Sequence, residues 1–242
     1  ECYMYAKGGP KDNEKAESLL KAIEDDPSGL YLRGILFSGR GEDERARESF
    51  EKAAEQEHPR AAYNLAVYLG SGRGGPTDKK KAFELYELAA KYGDMRAMYN
   101  LAVCYDKGEG VAPNPKKAVE KYRAAMELGH IHAMFNLAHH LSSASPNEAA
   151  TLYRKAADKG HVRSMYNLGL LYDTNEASFG DGSGEDNKAE AYKWYVQAAE
   201  HGHPRAIYNI AVMYATGTAE EGIDLVKAKQ LFRRAALEHC SS

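Results

Sequence analysis

Long apolar runs are missing from this 242-residue chain. No stretch reaches the roughly 18 residues needed to cross a bilayer, and the longest candidates are interrupted by charges every turn, so no membrane span is expected. Cysteine is scarce as well. Cys2, Cys104 and Cys240 are an odd number scattered over the full length, without a CxxC or a metal-ligand spacing. That excludes a disulfide framework and favours a reducing compartment. There is no surplus of positive charge either, since the formal net charge is −3, and neither nucleic acid nor an anionic membrane surface is called for. The chain opens Glu1-Cys2-Tyr3, without an initiator methionine or a signal peptide, and reads as a fragment or a processed product. The expected location is intracellular, in the cytoplasm, with an organelle matrix as the alternative.

Catalytic signatures are also lacking. There is no HExxH and no GxSxG, and no set of Cys and His side chains falls on a matched framework; acidic residues are spread over solvated faces. Gly70-Ser71-Gly72-Arg73-Gly74-Gly75 formally matches GxGxxG, but it follows a helix and not a strand, so it is a turn. The Gly/Asp/Glu-rich insertion from about Thr174 to Asn187 resembles a calcium loop only until Ala177 and Asp186, which break the ligand and glycine positions; a mobile surface loop is expected there. His139-His140 would need further ligands to hold a metal. No enzyme activity, metal or cofactor is expected.

What is present is a repeat. The string Tyr/Phe-Asn-Leu/Ile-Ala/Gly recurs with asparagines at Asn64, Asn100, Asn136, Asn167 and Asn209. Their spacings of 36, 36, 31 and 42 residues suit a helix-turn-helix unit with loops of varying length. Each such A helix is followed by a B helix built on Ala, an aromatic four later, and Ala-Ala at seven and eight: Ala82-Tyr86-Ala89-Ala90, Ala149-Tyr153-Ala156-Ala157, Ala191-Tyr195-Ala198-Ala199 and Ala228-Phe232-Ala235-Ala236. The small residues on that stripe let a neighbouring helix come close. Gly93, Gly129, Gly160 and Gly202 stand where a left-handed C-cap ends helix B. Asn114-Pro115 and Ser145-Pro146 supply N-caps, the second with a capping-box glutamate at Glu148. Two degenerate units come first: residues 28–58, with Ala46-Phe50-Ala53-Ala54, and residues 1–27, mostly a B helix around Ala16 and Leu20. About seven units result, at 1–27, 28–58, 59–94, 95–130, 131–161, 162–203 and 204–242, in one continuous all-α solenoid.

The A helix, the Gly-rich turn at Lys107-Gly108-Glu109-Gly110-Val111 and the Ala-Ala-x-x-Gly ending together resemble the Sel-one-like repeat family, a relative of the tetratricopeptide repeats, over nearly the whole chain. The resemblance implies a right-handed α/α superhelix that serves as an adaptor or scaffold in larger assemblies. The paired cysteines of the family's secreted members are absent.

At 100° per residue, Met98, Leu101 and Tyr105 face helix B while Asn100 points away. In stacked pairs of this kind the asparagines should line a concave groove, where a carboxamide can pair with the backbone of an extended peptide; otherwise each bonds within its own repeat. Four residues earlier stand Arg60, Arg96, His132, Arg163 and Arg205. These either hold an acidic ligand, as in the carboxylate clamps of some tetratricopeptide domains, or pair with a glutamate of the preceding B helix or with solvent. Val103, Cys104, Leu170, Leu171, Val212 and Met213, three and four after their asparagines, flank the same groove, as do His139 and His140 beside Asn136; those at plus three are expected to be the more covered. Trp194 and the tyrosines are expected to pack. Arg60, Asn64, Arg96, Asn100, His132, Asn136, His140, Arg163, Asn167, Arg205 and Asn209 are thus the candidate site for a protein or peptide partner, expected to be acidic. Self-association through the solenoid ends is the competing reading.

Overall fold

The computed structural model describes residues 25–177, 184–219 and 222–240. The unit expected around Ala16 and Leu20, together with Cys2, lies outside the described residues, as do positions 178–183 of the insertion. All regular structure among the described residues is helical, and the chain is an all-α repeat solenoid of about seven units. By its contacts it divides into two compact units, residues 1–128 and 129–242.

The first unit holds α1 (Pro27–Gly39), α2 (Asp43–Glu55), α3 (Pro59–Ser71), α4 (Lys79–Lys91), α5 (Met95–Lys107) and α6 (Pro115–Glu127). Each odd-numbered helix is an A helix and each even-numbered one its B partner, and every helix packs on the next. Phe50, Tyr86 and Tyr122 of the B template are buried among Ala46, Ala53, Ala82, Ala89, Ala118 and Ala125, so large rings fill the space that alanines leave between close helices. Leu101 and Tyr105 are buried against helix B as their angle requires. The Gly-rich turns have a specific purpose here. Gly110, at φ 75°, brings its backbone so near the start of α4 that a Cβ would lie 2.1 Å from the Lys79 carbonyl oxygen. Gly74 does the same at the start of α2, 2.3 Å from the Asp43 carbonyl oxygen. Around them, Lys79 pairs with Glu109 at 3.2 Å and Arg73 with Asp43 at 2.8 Å, so each A-to-B turn is clamped to the preceding repeat.

The second unit holds α7 (Ile131–Leu141), α8 (Pro146–Ala157), α9 (Val162–Asp173), α10 (Gly184–Glu200), α11 (Pro204–Thr216) and α12 (Leu225–Cys240). Tyr153 and Tyr195 are its fully buried B-helix rings. The Tyr195 hydroxyl donates to Asp173 at 3.2 Å, and Lys188 reaches the same carboxylate at 2.6 Å. Trp194 is buried with the Arg154 guanidinium 5.8 Å from its ring.

Two details differ from the sequence reading. Ser145 is the N-cap residue of α8, but its side chain makes no cap hydrogen bond, so the capping box is not formed. The insertion is shorter as a loop than expected, because α10 already begins at Gly184. Asn187 is buried and donates to Asn175 Oδ1 at 3.1 Å and to the Ala177 carbonyl at 3.2 Å, which ties the end of the loop to its beginning.

Candidate functional site on the A helices

The beginning of each A helix sets the geometry. His58, Asp94, His130, His161 and His203 are the N-caps of α3, α5, α7, α9 and α11, each accepting a backbone N–H three residues on. In every case the basic residue of the expected row stands two positions later, at Arg60, Arg96, His132, Arg163 and Arg205. Cap and cation therefore share one turn at the positive end of the helix dipole. Three of the four histidine caps also meet the aromatic of the previous A helix: His58 stacks on Tyr31 at 4.8 Å and His203 on Tyr166 at 4.5 Å, and His161 lies tilted against Phe135 at 4.9 Å. Burial lowers the pKa of His58, His161 and His203, and the neighbouring Arg60, His132 and Arg163, or Arg205 and Arg163, add to it. Neutral imidazole is the form that can accept the cap bond. These caps escaped the sequence reading, although His58-Pro59-Arg60 and His203-Pro204-Arg205 repeat the same tripeptide, a Pro at N1 behind an N-cap.

In the first unit, Arg96 is not available in the way its position suggests. Its guanidinium bonds the Asp94 carboxylate at 2.7 Å and lies over the Tyr63 ring at 4.2 Å. Burial works to raise the Asp94 carboxyl, but the bonds from Arg96 and from the backbone N–H groups outweigh it and hold its pKa below the usual value. The partner is thus the cap of the same helix and not a glutamate of the preceding B helix. Arg60 is exposed and lines a cavity of about 440 Å³ with Tyr31, His58, Tyr92 and Asp94.

In the second unit the cap positions carry histidine, and no such capture occurs. Arg163 and Arg205 are exposed, and neither is within ion-pair distance of a carboxylate among the described residues. Both line a cavity of about 470 Å³ together with Phe135, Tyr166, Asn167 and His203. His132 is exposed, 5.1 Å from the His161 ring. His140 is half-buried next to His139, at 6.5 Å between rings. Among the described residues no three His, Cys, Asp or Glu side chains converge to hold a metal ion.

The five asparagines are all half-buried. Asn167 donates to the Tyr153 hydroxyl at 3.2 Å; Asn209 lies near enough to the Tyr195 phenol, and Asn100 to those of Tyr86 and Tyr63, to work against the rise in their pKa. Burial raises the pKa of Tyr86, Tyr153 and Tyr195. The Asn167 bond runs to the preceding repeat, not within the asparagine's own. At Asn64 the corresponding B-helix residue is Phe50, which has no hydroxyl to offer. Where one N–H is spent on a tyrosine, the carboxamide keeps its second N–H and lone pairs on its oxygen.

The apolar flank is the reverse of the expectation. Val103, Leu170 and Val212, at plus three, are half-buried or exposed, whereas Cys104, Leu171 and Met213, at plus four, are buried. At about 100° per residue, plus four lies roughly 40° from the asparagine towards the packed face, and plus three roughly 60° the other way, beside the arginine. Cys104 is accordingly a packed thiol, and burial pushes its pKa up to about 11.

Comparison with known proteins agrees with this architecture. The family model for the Sel1 repeat matches residues 1–22, 29–58, 59–94, 96–130, 131–161, 162–203 and 204–239. A Sel1 repeat protein from Oxalobacter formigenes is 26% identical, with 86% of this chain and 85% of that one covered and a TM-score of 0.76. The protective antigen c5321 of uropathogenic Escherichia coli, which displays an SLR fold, is 22% identical over 98% of this chain and 59% of its own, with a TM-score of 0.62. YrrB, a TPR protein with an unusual peptide-binding site, is 22% identical over 81% of this chain and 98% of its own, with a TM-score of 0.55. No curated protein matches the chain.

Proposed function

The chain belongs to the Sel1 repeat family, and we propose that it is a non-catalytic adaptor whose A-helix surfaces hold an extended, acidic segment of a partner protein. Repeat proteins of this kind are in general protein-interaction modules. One observation carries the finer reading: exposed arginines stand one turn before half-buried asparagines that still have free hydrogen-bonding capacity. Such a pair can take a carboxylate through the guanidinium and a peptide backbone through the carboxamide. In the second unit the exposed Leu170 and the half-buried Val212 add apolar contact beside it.

The test is an array of extended decapeptides of graded acidity probed with the intact chain and with an Arg60/Arg96/Arg163/Arg205→Ala variant. Retention that rises with acidity, weakens from 50 to 300 mM salt and is lost in the variant supports the reading. Retention independent of both acidity and the four arginines overturns it.

A second reading, self-association, is favoured by the apolar surface that α11 and α12 share. There Ala215, Leu225, Ala228, Phe232 and Ala236 line an apolar cleft of about 430 Å³, and Ile223, Val226 and Leu237 are each about 70% exposed. Apolar surface of this kind marks an association site. A Phe232→Glu variant that leaves sedimentation mass unchanged at high concentration, beside a monomeric parent, argues against it.

A further inference from the structure

We infer that the acidic segment is read by the second unit alone, in the cleft that joins α7, α9 and α11, and that it carries two carboxylates two residues apart, one for Arg163 and one for Arg205. This rests on the acidic-segment reading and makes it specific in place and in sequence.

The inference follows from what surrounds each arginine. Arg163 and Arg205 come from successive A helices, yet both line one cavity of about 470 Å³ whose lining contains no carboxylate. The two guanidiniums are close enough to the cap histidine between them that both help lower its pKa. A single carboxylate would leave one of the two charges uncompensated, whereas two carboxylates balance both. In an extended chain, side chains two residues apart point to the same side about 7 Å apart. That is within the reach of two long arginine side chains that line the same cavity. The floor between them is aromatic: Tyr166 stacks on the His203 ring at 4.5 Å and Phe135 meets His161 at 4.9 Å. Asn167 lines the same cavity and spends one N–H on Tyr153, leaving the rest of its amide for the ligand backbone between the two acidic residues.

The first unit lacks this arrangement. Asp94 occupies the cap position, so Arg96 is neutralised before any ligand arrives, and the cavity beside Arg60 already contains that carboxylate. An acidic ligand there would meet Asp94 together with Arg60.

The experiment uses the full chain and fluorescein-labelled, end-blocked Gly/Ser decapeptides carrying two glutamates separated by zero, one or four residues, with the glutamine versions as controls. The expected result is tightest binding for the one-residue separation, weakened about tenfold by Arg163→Ala or Arg205→Ala, as the loss of a charge-assisted pair implies, and less than twofold by Arg96→Ala. Circular dichroism of each variant checks that the exposed substitutions leave the helices intact. Acidic peptides that bind but respond to Arg96→Ala as strongly as to Arg205→Ala, or that show no preference in spacing, overturn this inference and leave the adaptor reading standing. No binding of any acidic peptide overturns both.

Discussion

Two A helices, α5 of the first unit and α11 of the second, share one frame and reach opposite electrostatic outcomes. Around α5 of the first, the N-cap is Asp94, its carboxylate holds both the helix end and Arg96, and the guanidinium lies on Tyr63. Around α11 of the second, the N-cap is His203, which serves the helix end through Nδ1 and a ring stack and leaves Arg205 extended into a cavity. At these two helices the residue at the cap decides whether the arginine two positions later is held in an ion pair or stands exposed without one among the described residues. The turns differ too. Two turns of the first unit are clamped on the preceding repeat through Gly74 and Gly110, whereas a Cβ on Gly222, between α11 and α12, would meet nothing within 4 Å.

The largest expected consequence concerns the turns. Gly110→Ala must move its Cβ away from the Lys79 carbonyl while holding a left-handed φ, and should lower the unfolding free energy by about 3 kcal/mol. Gly222→Ala, with the same sign of φ and open space, should lose only about 1 kcal/mol. Denaturant titration monitored by circular dichroism reads both, and equal losses would mean that the clamp contributes nothing.

Exchange of the caps comes next. His203→Asp keeps an N-cap acceptor and supplies Arg205 with the carboxylate that Asp94 supplies to Arg96, so affinity for the one-residue-spaced glutamate peptide should fall about tenfold, roughly 1.4 kcal/mol. Asp94→His should free Arg96 and add weak acidic-peptide binding to the first unit. Fluorescence polarisation with the labelled peptide checks the pair, and unchanged affinity in His203→Asp would show that the cap does not control the arginine.

The smallest effect is in pH. His161 and His203 are capped neutral and their folded pKa lies below the unfolded value of 6.5, so the unfolded chain binds protons first as the medium turns acid. Their contribution to stability is complete above about pH 6.5 and is lost as pH falls through the lowered folded values. Asp94 is held below 3.8, and its cap persists across the same range. The melting temperature should therefore fall between pH 7 and pH 5, and a His161→Asn/His203→Asn variant, whose caps do not titrate, should fall less. Identical slopes would remove the histidine caps from the explanation.

The repeat, the helix pairs and the residues that could form a groove are all legible in the chain as written. A period of 31–42 residues, an alanine-aromatic-alanine stripe and glycines at left-handed ends are local signals, and local backbone and packing preferences suffice to turn them into helices. The row of Arg60, Arg96, Arg163 and Arg205 was equally visible, but its members looked equivalent. Which of them is free depends on a cap two residues away and a ring from the previous helix, and the cap was not recognised because histidine is not among the usual N-cap residues. The flank at plus three and plus four was misjudged for a related reason: a rotation of about 100° separates the two positions, and only the placement of helix B says which of them it covers. The bond from Asn167 to Tyr153 likewise crosses from one repeat to the next. Sequence by itself determined what is repeated, because each helix is specified by neighbours within a turn or two. Tertiary structure decided which of the repeated side chains are already paired, because whether a charge or an amide is satisfied depends on groups that stacking brings within about 3 Å through space.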